Sequence, residues 1–277
     1  MKIETTTTSS EAISNTYLLE TASKIGPSLS QYINEDENNR RVSKPVLDAL
    51  RQAGFLRMFL PKSLGGLEAD PLTTAKVVEE IARHNTAAGW SMMVANTSAW
   101  WCNRLPEKGV EEIYEDGPDT FIAGAFHPPM KATPVEGGFS INGRSPLTSN
   151  VHEAKWIFVT AFVMDQGQMK FHDGIPEVIG VFMNAAECDI IDTWYTLGMR
   201  ATDSNDVEAH DVFVPGHRSY PLAPEFEASS HYKSPLYKFP AIGASIASLI
   251  APVALAVARN AIEELKAIAE KKVPFGS

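Results

Sequence analysis

Apolar and polar positions follow a helical period in the first part of the chain, a strand-like period in the middle and a helical period at the end. The run SKPVLDALRQAG represents the first part, because its apolar residues recur at the three- and four-residue spacing of one helix face. Ser43 is of a type that caps helix N-termini, and Gly54 favours the position just past a helix. We therefore predict that residues 1–118 form a helical domain.

Two more helices are predicted within this first segment. Asp70 followed by Pro71 is typical of a helix start, since aspartate caps the helix and proline suits the first turn. The next helix begins near Thr86 and presents four residues on roughly one side, which are Trp90, Met93, Thr97 and Trp101. Such a stripe is more often core packing than the wall of a cofactor site, and both interpretations are open at this point.

Between residues 121 and 215 the pattern changes to short β-rich runs separated by turn residues. The runs are FIAGAF, GGFSINGR, KWIFVTAFVM, EVIGVFMN, CDIIDTWYTLG and NDVEAHDVFV. Strands of this length and spacing predict an antiparallel barrel or sandwich, which we assign to residues 119–228. Strands and helices do not alternate, and no GxGxxG or P-loop pattern occurs, so a Rossmann domain is not expected.

The helical pattern returns near Lys238 and extends to Lys272, with a bend or break expected at Pro252. Residues 241–258 carry no charge, a length that also suits a membrane span. Small residues make this segment only modestly hydrophobic and permit close helix approach, so a buried helix is favoured. We assign residues 229–277 to the first helix of an incomplete C-terminal helical bundle, which gives a multi-domain α and β fold.

The net charge and the cysteine content limit which binding partners and which cellular compartment are expected for this protein. A net charge of −10 without a cluster of lysines or arginines argues against nucleic acid and against an anionic membrane. Two lone cysteines, Cys102 and Cys188, suggest a reducing compartment, and the polar N-terminus lacks a signal core, so we expect a cytoplasmic protein. No CxxC or histidine–cysteine cluster occurs, so no metal site is predicted.

Three stretches resemble the acyl-CoA dehydrogenase superfamily, and they occur in the order that the family has. The family's N-terminal helical signature resembles GFLRMFLPKSLGGLEADPLTTAKVVEEIAR. Its middle β-domain segment, which packs on the flavin ring, resembles GGFSINGRSPLTSNVHEAKWIFVTA, and its closing strand pair resembles DTWYTLGMRATDSNDVEAHDVFVP. Together the three stretches cover most of the chain.

Two departures from the dehydrogenase pattern favour the flavin-dependent monooxygenases that share this fold. Dehydrogenases usually carry TEP on the first β-strand, where this chain has Phe126-His127-Pro128, and Trp-Ile-Thr facing the flavin, where it has Leu147-Thr148-Ser149. The resemblance implies the oxygenase component of a two-component, group D type enzyme. Such a component uses FMN or FAD, reduced by a separate flavin reductase, to hydroxylate an aromatic or polycyclic small molecule with O2.

Two alternatives remain open from the sequence. An acyl-CoA dehydrogenase would oxidise an acyl thioester with FAD, using a carboxylate base and an electron-transferring partner. A truncated flavin-fold protein would have no catalysis of its own and would act as a partner. Family members continue through further helices that carry catalytic groups and much of the tetramer interface, so the resemblance implies a homo-oligomer, either a dimer or a homotetramer.

The resemblance also implies two catalytic residues, Ser149 and His127. Ser149 corresponds to the residue that hydrogen-bonds flavin N5 or O4, and a hydroxyl suits that place because it donates or accepts at little volume. His127 is placed to deprotonate a phenol or to steer a proton. The simpler alternatives are a serine that caps a strand end and an exposed loop histidine.

The flavin-binding residues implied by the resemblance are Trp90, Ala125, Phe126, Leu147, Thr148, Ser149 and Lys272. The backbone at Ala125 and Phe126 corresponds to the strand that meets the pyrimidine side of the flavin. Trp90 lies where the monooxygenase branch often places an aromatic ring. Lys272 replaces an arginine that reaches the flavin diphosphate of a neighbouring subunit, and lysine keeps the charge without the bidentate fork. The structural alternatives are core packing for Trp90, an ordinary edge strand for Ala125 and Phe126, and a solvated lysine for Lys272.

Overall fold

The computed structural model describes residues 14–222, 226–238 and 242–272, and within these ranges it gives the backbone alone at 127–129 and 242–248. Seven α-helices are described: α1 Asn15–Leu29, α2 Ile33–Asn39, α3 Lys44–Gln52, α4 Pro71–His84, α5 Thr86–Trp101, α6 Glu107–Ile113 and α7 Ile242–Lys271. The described strands are β1 Ile122–Val135, β2 Gly138–Thr148, β3 Trp156–Asp165, β4 Gln168–Met169, β5 Phe171–His172, β6 Ile175–Pro176, β7 Val178–Asn184, β8 Asp189–Ile191, β9 Asn205–Pro215 and β10 Ser219–Pro221.

The predicted helix boundaries in the first segment are confirmed. Asp70 precedes α4, and its side chain accepts a hydrogen bond from the Thr73 backbone N–H at 3.0 Å. Gly54 follows α3 with a φ of 75°, a conformation that glycine adopts without strain. Ser43 occupies the N-cap position of α3, although its hydroxyl makes no cap hydrogen bond.

Helix α5 lies at the centre of the molecule and is buried on nearly all sides. It packs against α4, against α7 and against strand β1. Its small residues permit this close packing, since a Cβ added at Gly89 would lie 2.5 Å from the Cβ of Ala82 in α4. A helix that is apolar all round is expected to be buried, which is what places α5 next to the sheet.

The main sheet has the strand order β10-β7-β3-β1-β2-β9-β8, with β4 paired to β3. The expectation of a purely antiparallel sheet is corrected at one place, because β1 and β3 pair in parallel. The reason lies in the connections: β1 and β2 form a tight hairpin, and residues 149–155 then carry the chain across to the other edge of β1. The expected strand CDIIDTWYTLG is also shorter than predicted, since only Asp189–Ile191 is extended.

Two hydrophobic cores flank the sheet. Alternation along β3 sends Phe158 toward the helices and its neighbours Ile157 and Val159 to the opposite face. The helix-side core combines residues of α1, α3, α4 and α5 with four aromatic residues of the sheet, Trp156, Phe158, Phe182 and Tyr220. The second core lies within the curved sheet itself, between β1, β2, β3, β7 and β9. The predicted fold class of helical, β-rich and helical segments is therefore confirmed, while the division at residues 118 and 228 stays a prediction.

Helix α7 continues through Pro252 without interruption and packs on α4 and α5. Two ion pairs join it to α4, Arg83–Glu263 and Arg259–Glu79, each at 2.8 Å. Among the described helices, none combines the length and the apolar character that a membrane crossing requires.

Candidate active site

A cavity of about 140 Å³ lies between α5 and the helix-facing side of the sheet. Its walls come from α5, from β1, β2 and β3, and from Ile250 of α7. The lining residues are Trp90, Met93, Val94, Thr97, Ser98, Trp101, Gly124, Phe126, Leu147, Ser149, Phe158 and Ile250. The walls are therefore mostly aromatic and aliphatic, with a few hydroxyl groups, which is the usual composition of a small-molecule site.

The helical stripe predicted from the sequence forms one wall of this cavity. Trp90, Met93, Thr97 and Trp101 all line it. The hydroxyl of Thr97 donates to the Met93 carbonyl at 2.7 Å, so it is held by its own helix. The stripe is thus core packing and cavity wall at the same time.

Three aromatic rings form the floor of the cavity. The ring centroids of Trp101 and Phe126 lie 5.2 Å apart, as do those of Phe126 and Phe158. Trp101 and Phe158 lie nearly parallel, at 6.2 Å and 13°. Thr160 fixes this part of β1, because its hydroxyl donates to the Phe126 carbonyl at 2.6 Å. The pairing of β1 with β3 shifts register between Ala125 and Met130, the stretch that contains Phe126.

Leu147 stands at the rim of the cavity in an unusual backbone conformation. Its φ is 60°, in the left-handed region, and its side chain is 58% exposed. The pairing of β2 with β9 shifts register between Ser145 and Thr148, so Leu147 lies within the irregular stretch. Left-handed conformations are costly for residues with a Cβ and concentrate at functional sites. The conformation of Leu147 therefore indicates that the rim of the cavity has a functional role.

Ser149 begins a chain of hydroxyl groups that leads away from the cavity. The indole N–H of Trp90 donates to the Ser149 hydroxyl at 3.0 Å. The hydroxyl oxygens of Ser149 and Ser204 lie 2.8 Å apart, and those of Ser204 and Thr202 lie 2.7 Å apart. The chain ends where the Thr202 hydroxyl donates to the Met199 carbonyl at 2.9 Å.

A buried aspartate ties the Ser149 segment to the loop between β8 and β9. The side chain of Asp203 is only 4% exposed. It accepts hydrogen bonds from the His152 backbone N–H at 3.0 Å and from the Asn205 amide at 2.8 Å, and the His152 Nδ1 atom lies 2.8 Å away. The Asn150 backbone N–H also donates to the Thr202 carbonyl at 2.8 Å. The two segments therefore hold each other in place.

The same loop is anchored at its other end by Asp192. Arg40 donates two hydrogen bonds to this carboxylate, at 2.6 and 3.0 Å. These bonds from Arg40, together with one from the hydroxyl of Tyr195, lower the pKa of Asp192 to about 2.

Two buried polar atoms beside Ser149 have no hydrogen-bond partner among the residues that the structure describes. They are the Thr148 hydroxyl and the amide nitrogen of Asn150. The other end of the Asn150 amide accepts from the Ser91 hydroxyl at 2.6 Å. Buried polar groups are normally paired, so both atoms are compatible with a polar ligand next to this segment.

Comparisons with known proteins agree with this architecture. A family profile described as Acyl-CoA dehydrogenase, N-terminal domain, matches residues 18–113. The pigment production hydroxylase of a Rhodococcus species is 27% identical over 255 residues, covering 91% of this chain and 64% of the relative. The HsaA oxygenase subunit of a flavin-dependent monooxygenase from Mycobacterium tuberculosis is 29% identical over 219 residues, covering 77% of this chain and 54% of the relative. XiaF from a Streptomyces species, solved in complex with FADH2 and glycerol, is similar with a TM-score of 0.83 and 26% identity over 95% of this chain and 66% of XiaF.

The chain is therefore similar to proteins of the acyl-CoA dehydrogenase superfamily, with its residues 18–113 matching the N-terminal domain of that family. It is similar to monooxygenases within that superfamily, as the resemblance implied. It spans 54% to 66% of the length of the three relatives described above.

Within this superfamily fold, four of the predicted site residues come together at the cavity: Trp90, Phe126, Leu147 and Ser149. Thr148 is buried next to them, and Ala125 is buried in β1 between the lining residues Gly124 and Phe126. His127 lies in β1, but its side chain is outside the described part of the structure. The roles proposed for all of these residues stay predictions.

Lys272 lies apart from the cavity of its own chain. It is exposed and follows α7 directly. A helix rises about 1.5 Å per residue, so Lys272 lies roughly 30 Å beyond Ile250 along α7. The prediction that it serves a neighbouring subunit is compatible with this distance, and a role in its own chain's cavity is not.

Sequence reasoning missed Ser204, Thr202 and Asp203. The run ATDSND offered one signal, since clustered hydroxyl and carboxylate side chains before a strand are typical of a polar turn. Nothing in the spacing indicated that this turn would contact Ser149, because that contact is made across 55 residues of sequence.

Proposed function

We propose that this chain is the oxygenase component of a flavin-dependent monooxygenase. It would take reduced FMN or FAD from a separate flavin reductase and hydroxylate an aromatic or polycyclic small molecule. The observation that carries the proposal is the cavity itself: stacked aromatic rings and aliphatic side chains adjoin the hydroxyl of Ser149. The described lining residues include no aspartate or glutamate, so the cavity favours an apolar substrate.

The residues present fit a flavin. A flat aromatic ring system needs apolar faces, which Trp90 and Leu147 offer, and a polar partner at its edge, which the Ser149 hydroxyl offers. The cavity of about 140 Å³ is smaller than a whole cofactor requires, so it would hold the reacting part of the ligands. Similarity to XiaF, which was solved with FADH2, supports the same assignment.

When bound, reduced flavin supplies the electrons with which O2 is activated, so that one oxygen atom enters the substrate and the other leaves as water. The aromatic floor of the cavity excludes water and presents flat faces to an aromatic substrate. Ser149 offers a fixed hydrogen-bonding group at the cavity wall, held by Trp90 and Ser204. His127 remains the proposed proton-transfer group, on the basis of its place in the sequence next to Phe126.

Oxygen-isotope incorporation tests this function. The purified chain would be supplied with a flavin reductase, NADH, FMN or FAD, and ¹⁸O2, together with a panel of phenols and indole. The proposal expects one ¹⁸O atom in a hydroxylated product, found by mass spectrometry, and a lower yield with Ser149→Ala. Complete conversion of ¹⁸O2 to hydrogen peroxide with every compound in the panel would contradict it.

The dehydrogenase alternative has a separate test. Bound FAD would be bleached anaerobically by an acyl-CoA if the chain were a dehydrogenase. We expect no bleaching with short-, medium- or long-chain acyl-CoA, and bleaching would favour the alternative.

We further propose a homo-oligomer, a dimer or tetramer, that works in the cytoplasm. Exposed apolar side chains on α7, such as Leu265 at 66% exposure, support association. Both cysteines are free, and burial raises the pKa of the Cys102 thiol to about 12, which suits a thiol that remains reduced.

A further inference from the structure

The hydroxyl chain that begins at Ser149 has a defined direction. A carbonyl oxygen only accepts, so the Thr202 hydroxyl, 2.9 Å from the Met199 carbonyl, donates its single proton there, and the same carbonyl also accepts from the Trp194 indole N–H at 3.0 Å. With that proton used, the arrangement that keeps every hydrogen bond has Ser204 donating to Thr202 and Ser149 donating to Ser204. The indole N–H of Trp90 only donates, so it occupies one acceptor position of Ser149.

The reverse direction would cost the hydrogen bond from Thr202 to the Met199 carbonyl, which would keep its hydrogen bond from the Trp194 indole. If Thr202 donated to Ser204, the oxygens of Thr202 and Met199 would face each other at 2.9 Å without a proton between them. All three hydroxyls are buried, so water does not compensate for that contact. The direction from Ser149 toward Met199 is therefore favoured.

Ser149 consequently has no proton to offer to the cavity that it lines. A hydroxyl has one donor and two acceptor positions, and the donor and one acceptor are already used by Ser204 and Trp90. One acceptor position is left on the cavity side. The group that this position binds must be a hydrogen-bond donor.

We infer that Ser204 and Thr202 are positioning residues that hold Ser149 as a hydrogen-bond acceptor, so that the site discriminates between the redox states of its flavin. Reduced flavin carries an N–H at N5, whereas oxidised flavin has an unprotonated nitrogen there that itself accepts. Ser149 therefore matches the reduced form and opposes the oxidised form. This inference rests on the proposed function, since it takes flavin as the ligand and N5 as the atom next to Ser149.

Anaerobic fluorescence titrations with reduced and oxidised FMN and FAD test the inference through the ratio of the two dissociation constants. The wild-type chain binds the reduced form more tightly. Ser204→Ala removes the acceptor for the Ser149 proton. Thr202→Val removes the last hydroxyl of the series, which donates to the Met199 carbonyl, at nearly constant side-chain volume. Each variant frees the Ser149 proton and lowers the preference for reduced flavin by about 2- to 10-fold, the usual contribution of one neutral hydrogen bond.

Two controls separate this effect from loss of structure. Thr202→Ser keeps the hydroxyl and loses only a methyl group, so the wild-type ratio is retained. Ser145→Ala removes another buried hydroxyl of β2, one without a partner among the described residues, and also leaves the ratio unchanged. If Ser204→Ala does not fold, the Thr202→Val and Thr202→Ser pair carries the test by itself.

The outcomes distinguish the inference from the proposed function. A ratio that stays at the wild-type value in Ser204→Ala and Thr202→Val overturns the inference and leaves the proposed function intact. A ratio that falls equally in Thr202→Val and Thr202→Ser also overturns it, because the hydroxyl would not be the cause. A wild-type chain that binds neither form of FMN or FAD overturns both.

Discussion

At the residue scale, Leu147 has the backbone conformation that is hardest to explain by stability alone. A leucine with a φ of 60° costs free energy, and its side chain is too exposed for burial to offset that cost fully. Its position at the cavity rim gives the reason, since the conformation turns the side chain of a strand residue toward the ligand space. Such strain is retained where function requires the geometry.

Leu147→Gly tests this explanation. Glycine relieves strain of about 1–2 kcal/mol but costs about 0.5–1 kcal/mol of chain entropy, so the free energy of unfolding stays the same or rises slightly. Affinity for reduced FMN falls, because the rim loses its side chain. Leu197→Gly is the matched control, since Leu197 is fully exposed and lacks a positive φ, and it lowers the free energy of unfolding. Urea denaturation measures the free energy of unfolding of the two variants. Equal destabilisation by Leu147→Gly and Leu197→Gly would contradict the explanation that Leu147 is strained.

Several residues that line the cavity could be predicted from the sequence. Trp90 and Ser149 were named because both resemble family positions, and the structure joins them by a direct hydrogen bond. Ser204 and Asp203 could not be predicted, because their roles arise from a contact between two loops that are distant in sequence. Local pattern predicts which side chains share an element, whereas contacts between loops depend on how the elements pack.

At the element scale, the loop between β8 and β9 is held at both ends by aspartates. Asp192 is exposed and bonded to Arg40, while Asp203 is buried and bonded to His152 and Asn205. A buried carboxylate with several partners is costly to remove, because each partner is then left unpaired. The burial of Asp203 makes it the principal attachment between this loop and the Ser149 segment.

Asp203→Ala therefore lowers the free energy of unfolding by about 2–4 kcal/mol, the usual cost of leaving buried polar partners unpaired. Asp192→Ala, which removes an exposed partner from the same loop, has a clearly smaller effect. Asp203→Asn falls between wild type and Asp203→Ala, because asparagine tolerates the left-handed backbone of this position. Thermal or chemical denaturation measures the order. An Asp192→Ala loss as large as that of Asp203→Ala would show that burial is not the deciding factor.

Helices were more predictable than strand pairing at this scale. Asp70, Pro71 and Gly54 mark boundaries through local chemistry, and the structure confirms each of them. The parallel pairing of β1 with β3 was not predictable, because it follows from where residues 149–155 cross the sheet rather than from any strand pattern. The irregular register next to Phe126 and Leu147 has the same origin in tertiary packing.

At the scale of the whole molecule, α7 presents a continuous apolar face to solvent. Its exposed large side chains include Leu255, Val257, Ile262, Leu265 and Ile268. At about 100° per residue these positions fall within one side of the helix. A face of this extent is expected to bind another apolar surface.

We therefore predict that the purified chain sediments with a mass above its own 30.3 kDa. Replacing Leu265 and Ile268 together by lysine places charges on the apolar face and shifts the distribution toward the monomer. Ala267→Lys adds one such charge on the opposite side of the helix and leaves the distribution unchanged. A wild-type chain that is monomeric at all concentrations in analytical ultracentrifugation would contradict the prediction.

The molecule as a whole combines a sheet that supplies Ser149 and the aromatic floor with a central helix that supplies Trp90 and Trp101. We propose that this cavity holds reduced flavin away from water during its reaction with oxygen. The most direct test loads the chain anaerobically with reduced FMN or FAD, mixes it with oxygenated buffer and follows the release of hydrogen peroxide. We predict release that is slower than from free reduced flavin, and slower than from a chain carrying Ser149→Ala. Release at the rate of free flavin, with the flavin shown to be bound beforehand, would contradict it.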